Sequence, residues 1–455
     1  MNGHHHKEHH KREEGGGKYI AGIVISILVI IAAIGIGVWT ITGGFGGPEE
    51  KTGQESGHAS DLQIGTDDGT GVSDPDKSAD ADGGADSTDD ISDGDDAGTG
   101  GSDQDKPAAG VQEILDDMTL EEKVCQLFMI TPEALTGVET ATQAGQATQK
   151  AYDKYPVGGI IYFSKNLKNP DQTKSMLAKT QEYAQERTCI PVFLSVDEEG
   201  GQVARVGRNS AFGVEKIGNM SDVGAGGDTQ EAYRIGTVIG SYLKDLGFNM
   251  DAAPDTDVLT NPQNEVVKYR SFGSDPQLVA EMAEAELKGL NEEGIIGMYK
   301  HFPGHGGTTA DSHEGYVYVD DTLEELENGA FVPFKDGIAN DIRVIMVSHI
   351  AAPNVTGDNT PATLSKKLTT DILREDLGFD GMVITDALNM GAITEQYGSA
   401  NAAVAALNAG ADMLLMPADF QSAYKGVLDA VADGTLTEER IDESVARILE
   451  VKLTM

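Results

Sequence analysis

The sequence predicts an α/β chain, and three observations carry that reading. Short apolar runs rich in Val, Ile and Met recur along most of the 455 residues. Longer stretches with helical patterning separate them. Polar and charged residues gather just after the apolar runs, one after another. Runs that are apolar throughout mark strands buried on both faces, the property of a parallel sheet covered by helices. Eight such units fit a single (β/α)8 TIM-type barrel with room for loop insertions. An open doubly wound sheet is the alternative. It would carry a Gly-x-Gly-x-x-Gly turn after its first strand, and none is found there.

In chain order the runs predict strands at Gln126–Ile130, Val157–Phe163, Pro191–Val196, Phe248–Ala252, Gly294–Tyr299, Arg343–Val347, Met382–Thr385 and Asp412–Met416. Helices are expected over Asp171–Glu186, Gln230–Leu246, Pro276–Glu293, Thr322–Asn340 and Ala402–Asn408. The third strand leads to Asp197, Glu198, Glu199 and Arg205. The fourth leads to Asp255, Asp257 and Arg270, the fifth to Lys300 and His301, the sixth to His349 and the seventh to Asp386. A barrel of this kind places its active site on that rim. One such residue alone reads as a solvated loop charge; their recurrence favours a shared pocket.

The first quarter is different. Residues 1–18 read as a cytoplasmic tail, 19–42 as a transmembrane helix, 43–108 as a disordered acidic linker and 109–455 as the barrel. Ile20 to Ile41 carry no charge. At about 1.5 Å per residue a helix of that length crosses a hydrocarbon core of about 30 Å. A cleaved signal peptide is the alternative, but Gly43-Gly44-Phe45 is a poor cleavage site. Lys7, Lys11, Arg12 and Lys18 precede the span and only Lys51 follows closely, which points the bulk of the chain outward. The linker is rich in Asp, Gly, Ser and Thr and free of aromatics, so it buries too little apolar surface to order itself. It lacks the Asp-x-Asp-x-Asp-Gly loop of a calcium site.

The formal net charge is −42, which makes nucleic acid an improbable partner. Two cysteines, Cys125 and Cys189, are no disulfide framework, and both sit in or beside apolar runs as buried thiols would. A monomer is expected.

The densest chemistry is Lys300-His301-Phe302-Pro303-Gly304-His305-Gly306, followed by Asp311-Ser312-His313. Pro303 and Gly304 exclude a helix interior, so the stretch reads as a strand running into a loop of polar side chains. A metal site from His301, His305, Asp311 and His313 is disfavoured, because paired histidine ligands usually ride a helix face. No phosphate-binding Gly-x-x-x-x-Gly-Lys-Ser/Thr loop occurs. Glycoside hydrolysis needs a carboxylate at the anomeric centre and a proton donor for the leaving oxygen. Asp386 can be the first; His313, partnered by Asp311, can be the second. No metal or other cofactor is required.

These motifs resemble glycoside hydrolase family 3, and within it the bacterial β-N-acetylglucosaminidase branch. Asp197-Glu198-Glu199-Gly200-Gly201 with Arg205, Ala253-Pro254 with Asp257, Arg270-Ser271-Phe272 and Val383-Ile384-Thr385-Asp386-Ala387-Leu388 match in order and spacing, over roughly Val111 to Met455. The resemblance implies that Asp386 is a nucleophile and His313 an acid/base paired with Asp311. It implies that Asp197, Arg205, Arg270, Lys300 and His301 hold the sugar. It also implies a retaining exo-enzyme acting on β-N-acetylglucosaminides, peptidoglycan fragments among them. Asp255 stands where the family often has an apolar residue, and Tyr269 where a small or acidic one is common. The chain ends soon after the eighth strand, so no second domain is expected to supply a carboxylic acid donor. A β-glucosidase or xylosidase of the same fold, phosphorolysis, and a wall-binding module without catalysis are the rival readings.

Overall fold

The computed structural model describes residues 109–308, 311–312 and 315–455. The expected membrane span, the acidic linker and His313 lie outside the described residues. Among the described residues no helix is long and apolar enough to cross a membrane.

Eight strands follow the predicted runs: β1 Phe128–Ile130, β2 Gly159–Ile161, β3 Phe193–Val196, β4 Met250–Asp251, β5 Tyr299–Phe302, β6 Val344–Val347, β7 Met382–Thr385 and β8 Leu414–Leu415. They form a five-stranded sheet in the order β8-β1-β2-β3-β4 and a three-stranded sheet in the order β7-β6-β5. Every pairing among them is parallel. Isolated parallel bridges, Met250 to Ile296, Asp255 to Lys300 and Ile384 to Met413, link the two sheets on both sides. The order of pairing therefore returns to its start. Strand residues are buried on both faces; Val344, Ile345 and Val347 of β6 expose nothing. That double burial is what the continuous apolar runs record.

The intervening helices start where polar caps satisfy their first amides. Asn169 accepts from Gln172 N before the helix Pro170–Thr188. Asp228 and Asp275 do the same before Thr229–Leu246 and Pro276–Glu292. Two expected boundaries need correction. The helix expected over Thr322–Asn340 is two, Leu323–Asn328 and Val332–Ala339. Gly329 leaves helical geometry at φ −125°, ψ −101°, and Pro333 opens the second helix. The fifth strand pairs farther along than predicted, so Lys300 and His301 lie within β5 rather than in the loop after it. Cys189 is also not buried: it caps the helix Pro170–Thr188 in a left-handed conformation, φ 55°, with its side chain exposed. Both cysteines are free thiols.

Helices Thr229–Leu246 and Pro276–Glu292 pack backbone to backbone outside β4 and β5. A methyl group at Gly236 would stand 2.0 Å from the Glu286 carbonyl oxygen, and one at Gly289 would stand 2.4 Å from the Tyr233 carbonyl oxygen. Neither backbone can yield without moving its helix. Gly236→Ala is therefore expected to destabilise the chain by about 2 kcal/mol through overpacking. Urea unfolding should show a lower midpoint with an unchanged slope; an unchanged midpoint would show that the two helices can separate freely.

Candidate active site

Strand β3 ends at Val196, and Asp197 is the next residue. The chain then forms a short antiparallel hairpin, Glu198–Gly200 against Val203–Ala204. Gly200 and Gly201 turn it with φ of 86° and 52°, a region that side chains with a Cβ avoid. The turn brings Arg205 back until its Nη2 is 3.1 Å from Asp197 Oδ2. Glu198 points inward and anchors the hairpin, accepting from Val206 N and Gly207 N at 2.7 Å and from the Tyr242 hydroxyl at 2.8 Å. Its burial raises the carboxyl pKa, although those donors oppose the rise.

Glu199 points the other way and is the hub of the site. Arg270 grips it with two parallel bonds, Nε to Oε2 and Nη2 to Oε1, each 2.7 Å. Lys300 Nζ lies 2.5 Å from Glu199 Oε1 and 3.6 Å from Asp197 Oδ1. Burial alone would raise the Glu199 pKa, but the two cations hold it down to about 2. Lys300 is itself desolvated, yet Glu199 and Asp197 raise its pKa. Each charge is thus kept by its partners in a place where it would otherwise be costly.

His301, the neighbour of Lys300 on β5, is fixed by Asp257. Its Nδ1 donates to Asp257 Oδ2 at 2.7 Å, and its Nε2 lies 3.3 Å from Arg270 Nη2. Burial lowers the imidazole pKa, but the Asp257 charge outweighs it and the net shift is upward. Asp257 Oδ1 also accepts from His305 N at 2.5 Å, closing the loop after β5 onto the loop after β4. Asp255 lies beside this pair, 3.2 Å from Arg270 Nη2. Burial and the Asp257 charge push its carboxyl up to about 7. Asp255, Asp257 and His301 bring ligand-type atoms within 4.8 Å of one another. The Arg270 guanidinium already occupies the cationic position among them, so the set does not fit a metal ion.

Asp386 follows β7. Its amide donates to Val347 O of β6 at 2.7 Å, and its Oδ1 accepts from Ala387 N at 2.7 Å. His349, just past β6, holds the same segment: Nε2 donates to Ala387 O at 2.9 Å, while Nδ1 meets Thr363 Oγ1 at 2.8 Å. Asp311 is half-buried, and Ser312 beside it is buried. The Ser312 carbonyl accepts from Ala392 N at 3.2 Å, so this loop docks on the segment that follows Asp386.

These side chains come from β5 and from the segments that follow β3, β4, β5, β6 and β7. Residues 119–451 match the N-terminal domain of glycosyl hydrolase family 3. The chain belongs to glycosyl hydrolase family 3. It is 35% identical to beta-hexosaminidase A of Pseudoalteromonas piscicida over 323 residues, which are 66% of this chain and 54% of that protein. It is 33% identical to beta-hexosaminidase LpqI of Mycobacterium tuberculosis over 354 residues, 76% of this chain and 84% of that one. Among solved structures it resembles a family 3 β-N-acetylglucosaminidase from Paenibacillus sp. str. FPU-7. That match has 38% identity and a TM-score of 0.69, covering 74% of this chain and 62% of that one. The chain thus spans little more than half the length of some of these family 3 proteins.

Of the residues singled out in the sequence, the family 3 fold joins Asp197, Arg205, Arg270, Lys300 and His301 in one network. Asp311 and Asp386 sit on segments that touch through Ser312 and Ala392. His313 lies outside the described residues. Three members of the network, Glu199, Asp257 and Asp255, were named in the sequence only as acids near strand ends, with no role given to them. Asp255 looked like a mere departure from the family. Only the repeated match of acids to strand ends pointed towards them, because the partners of Glu199 are 71 residues or more distant in sequence.

The raised Asp255 pKa has a checkable sign. A carboxyl that keeps its proton longer when folded stabilises fully below its unfolded pKa near 3.8. That contribution is lost as pH rises towards about 7 and stays lost above it. Relative to the parent chain, Asp255→Asn is expected to gain stability between pH 4 and 7 and to level off beyond. A pH series of urea midpoints tests this; a constant difference across the series would contradict it.

Proposed function

We propose that the chain is a retaining exo-β-N-acetylglucosaminidase that removes terminal β-N-acetylhexosaminides from wall-derived or other glycans. We read its circuit of eight parallel pairings as a closed (β/α)8 barrel with this site at the carboxyl rim. The observation that carries the reading is the convergence of residues from the loops after β3 and β4 and from β5 itself on Glu199. Such a rigid set of donors and acceptors suits the branched hydrogen bonding that sugar hydroxyls need.

In the proposed reaction Asp197, Arg205, Arg270, Lys300 and His301 hold the terminal sugar. The Asp386 carboxylate attacks the anomeric carbon as the bond to the leaving oxygen breaks, and His313 gives that oxygen its proton. A glycosyl ester on Asp386 results. Water then attacks the same carbon, passes its proton to His313 and frees the carboxylate. Asp311 orients the imidazole and stabilises its charged form, as an acid beside a histidine does in other acid–base pairs. The Ala387 amide and the His349 link hold Asp386 in one orientation, so little reorganisation is needed on attack. The hexosaminidase relatives support the substrate class; two turnovers of configuration at one carbon would leave a β-sugar as the first product.

A chromogenic N-acetyl-β-glucosaminide tests the assignment. The parent chain is expected to hydrolyse it with the β-anomer as initial product by NMR. Asp386→Asn, which keeps shape and loses the nucleophile, should lower kcat by about 10³-fold or more. Undiminished turnover in that variant would remove Asp386 from the reaction.

A further inference from the structure

Among the described residues the exposed aromatic side chains are three tyrosines, Tyr269, Tyr316 and Tyr318. Tyr269 precedes Arg270. Tyr316 and Tyr318 follow the Asp311–His313 loop, on a segment where Val317 and Val319 are buried and the tyrosines are 37% and 47% exposed. Alternate residues of a strand share a face, and here the two rings stack on each other with centroids 5.6 Å apart and planes 22° from parallel. The strand is held firmly. Val317–Tyr318 pairs in parallel with Ile350–Ala351, just past His349, and Val319 N donates to Ala351 O at 2.9 Å. Beside Tyr318 opens a cavity of about 370 Å³ lined by Thr260, Asn261, Asp320, Asp321 and Glu325.

We propose that Tyr316 and Tyr318 form a platform for the sugars beyond the scissile bond, and that it takes an uncharged β-linked amino-sugar chain. The proposal rests on the hydrolase reading above. An exo-enzyme holds the terminal sugar, so the rest of the glycan departs on the side of the leaving oxygen. The proton donor must face that oxygen, and Tyr316 follows His313 by three residues in the chain. A pyranose has one apolar face of C–H groups and a rim of hydroxyls. Exposed flat rings cover the first, and the Thr, Asn and carboxylate groups of the cavity accept from the second. The three acids of the cavity would repel a glycan that carries carboxylates of its own. Exposed aromatics on a rigid strand are otherwise a liability for solubility.

Calorimetric binding by the chain carrying Asp386→Asn, which stops turnover, tests the platform. Chitotetraose should bind about tenfold more tightly than N-acetylglucosamine, as two aromatic contacts supply. Adding Tyr316→Ala and Tyr318→Ala should erase that gain, whereas Tyr316→Phe and Tyr318→Phe should retain it. A chain of the same length carrying lactyl carboxylates on alternate sugars should gain less. The platform is overturned if the parent shows no gain, if the alanine pair keeps it, or if the phenylalanine pair loses it. An equal gain for the anionic chain would overturn the stated charge preference. Failure of the hydrolase reading is separate: it appears as no turnover of the chromogenic glycoside by the parent chain.

Discussion

One buried carboxylate holds the candidate site together. Glu199 is gripped by Arg270 through two bonds and by Lys300 through a third. Those three residues come from the hairpin after β3, the loop after β4 and the strand β5. Each is nearly inaccessible, with side-chain exposures of 2%, 12% and 3%. A buried charge left without its partner typically costs about 3–5 kcal/mol, so the cluster fixes the relative placement of three chain segments. His301 and Asp197 inherit their positions from it, one as the neighbour of Lys300 and the other as a second partner of the same ammonium group. The electrostatics of the rim are therefore set before any ligand arrives, which is the form of preorganisation that stabilises charge developing in a reaction.

Backbone and side-chain bonds tie the loops of the rim to one another. The hairpin is anchored from below by Glu198, and the loops after β4 and β5 are pinned together by Asp257. The Asp311–Ser312 segment is held to the chain after Asp386 by the backbone bond from Ala392.

Much of the fold was legible because burial on both faces writes itself as uninterrupted apolar sequence. All eight strands lie in or overlap their predicted runs, and Asn169, Asp228 and Asp275 mark helix starts by simple cap chemistry. The fifth strand shows the limit. Its paired residues include Lys300 and His301, charged groups that are tolerated in a strand because Glu199 and Asp257 meet them. No local pattern displays partners contributed by other loops. The same blindness hid the partners of Glu199, Arg270 foremost among them. The helix around Thr322–Asn340 reads as one amphipathic stretch, yet Gly329 lets it break. Cys189 stands beside an apolar residue, Ile190, but a helix end turns its thiol outward. The residues Asp197, Arg205, Arg270, Lys300 and His301 could be picked out from motifs around strand ends, whereas the ionic contacts that join them required coordinates.

The central claim is that this scaffold presents Asp197, Arg205, Arg270, Lys300 and His301 to one terminal sugar whose anomeric carbon faces Asp386. The most direct test is a crystal structure of the chain with N-acetylglucosamine bound. The account predicts sugar hydroxyls within hydrogen-bonding distance of those groups, the Glu199 cluster unchanged, and C1 turned towards the Asp386 carboxylate. A sugar bound away from the cluster, or seated there with C1 directed away from Asp386, would contradict it.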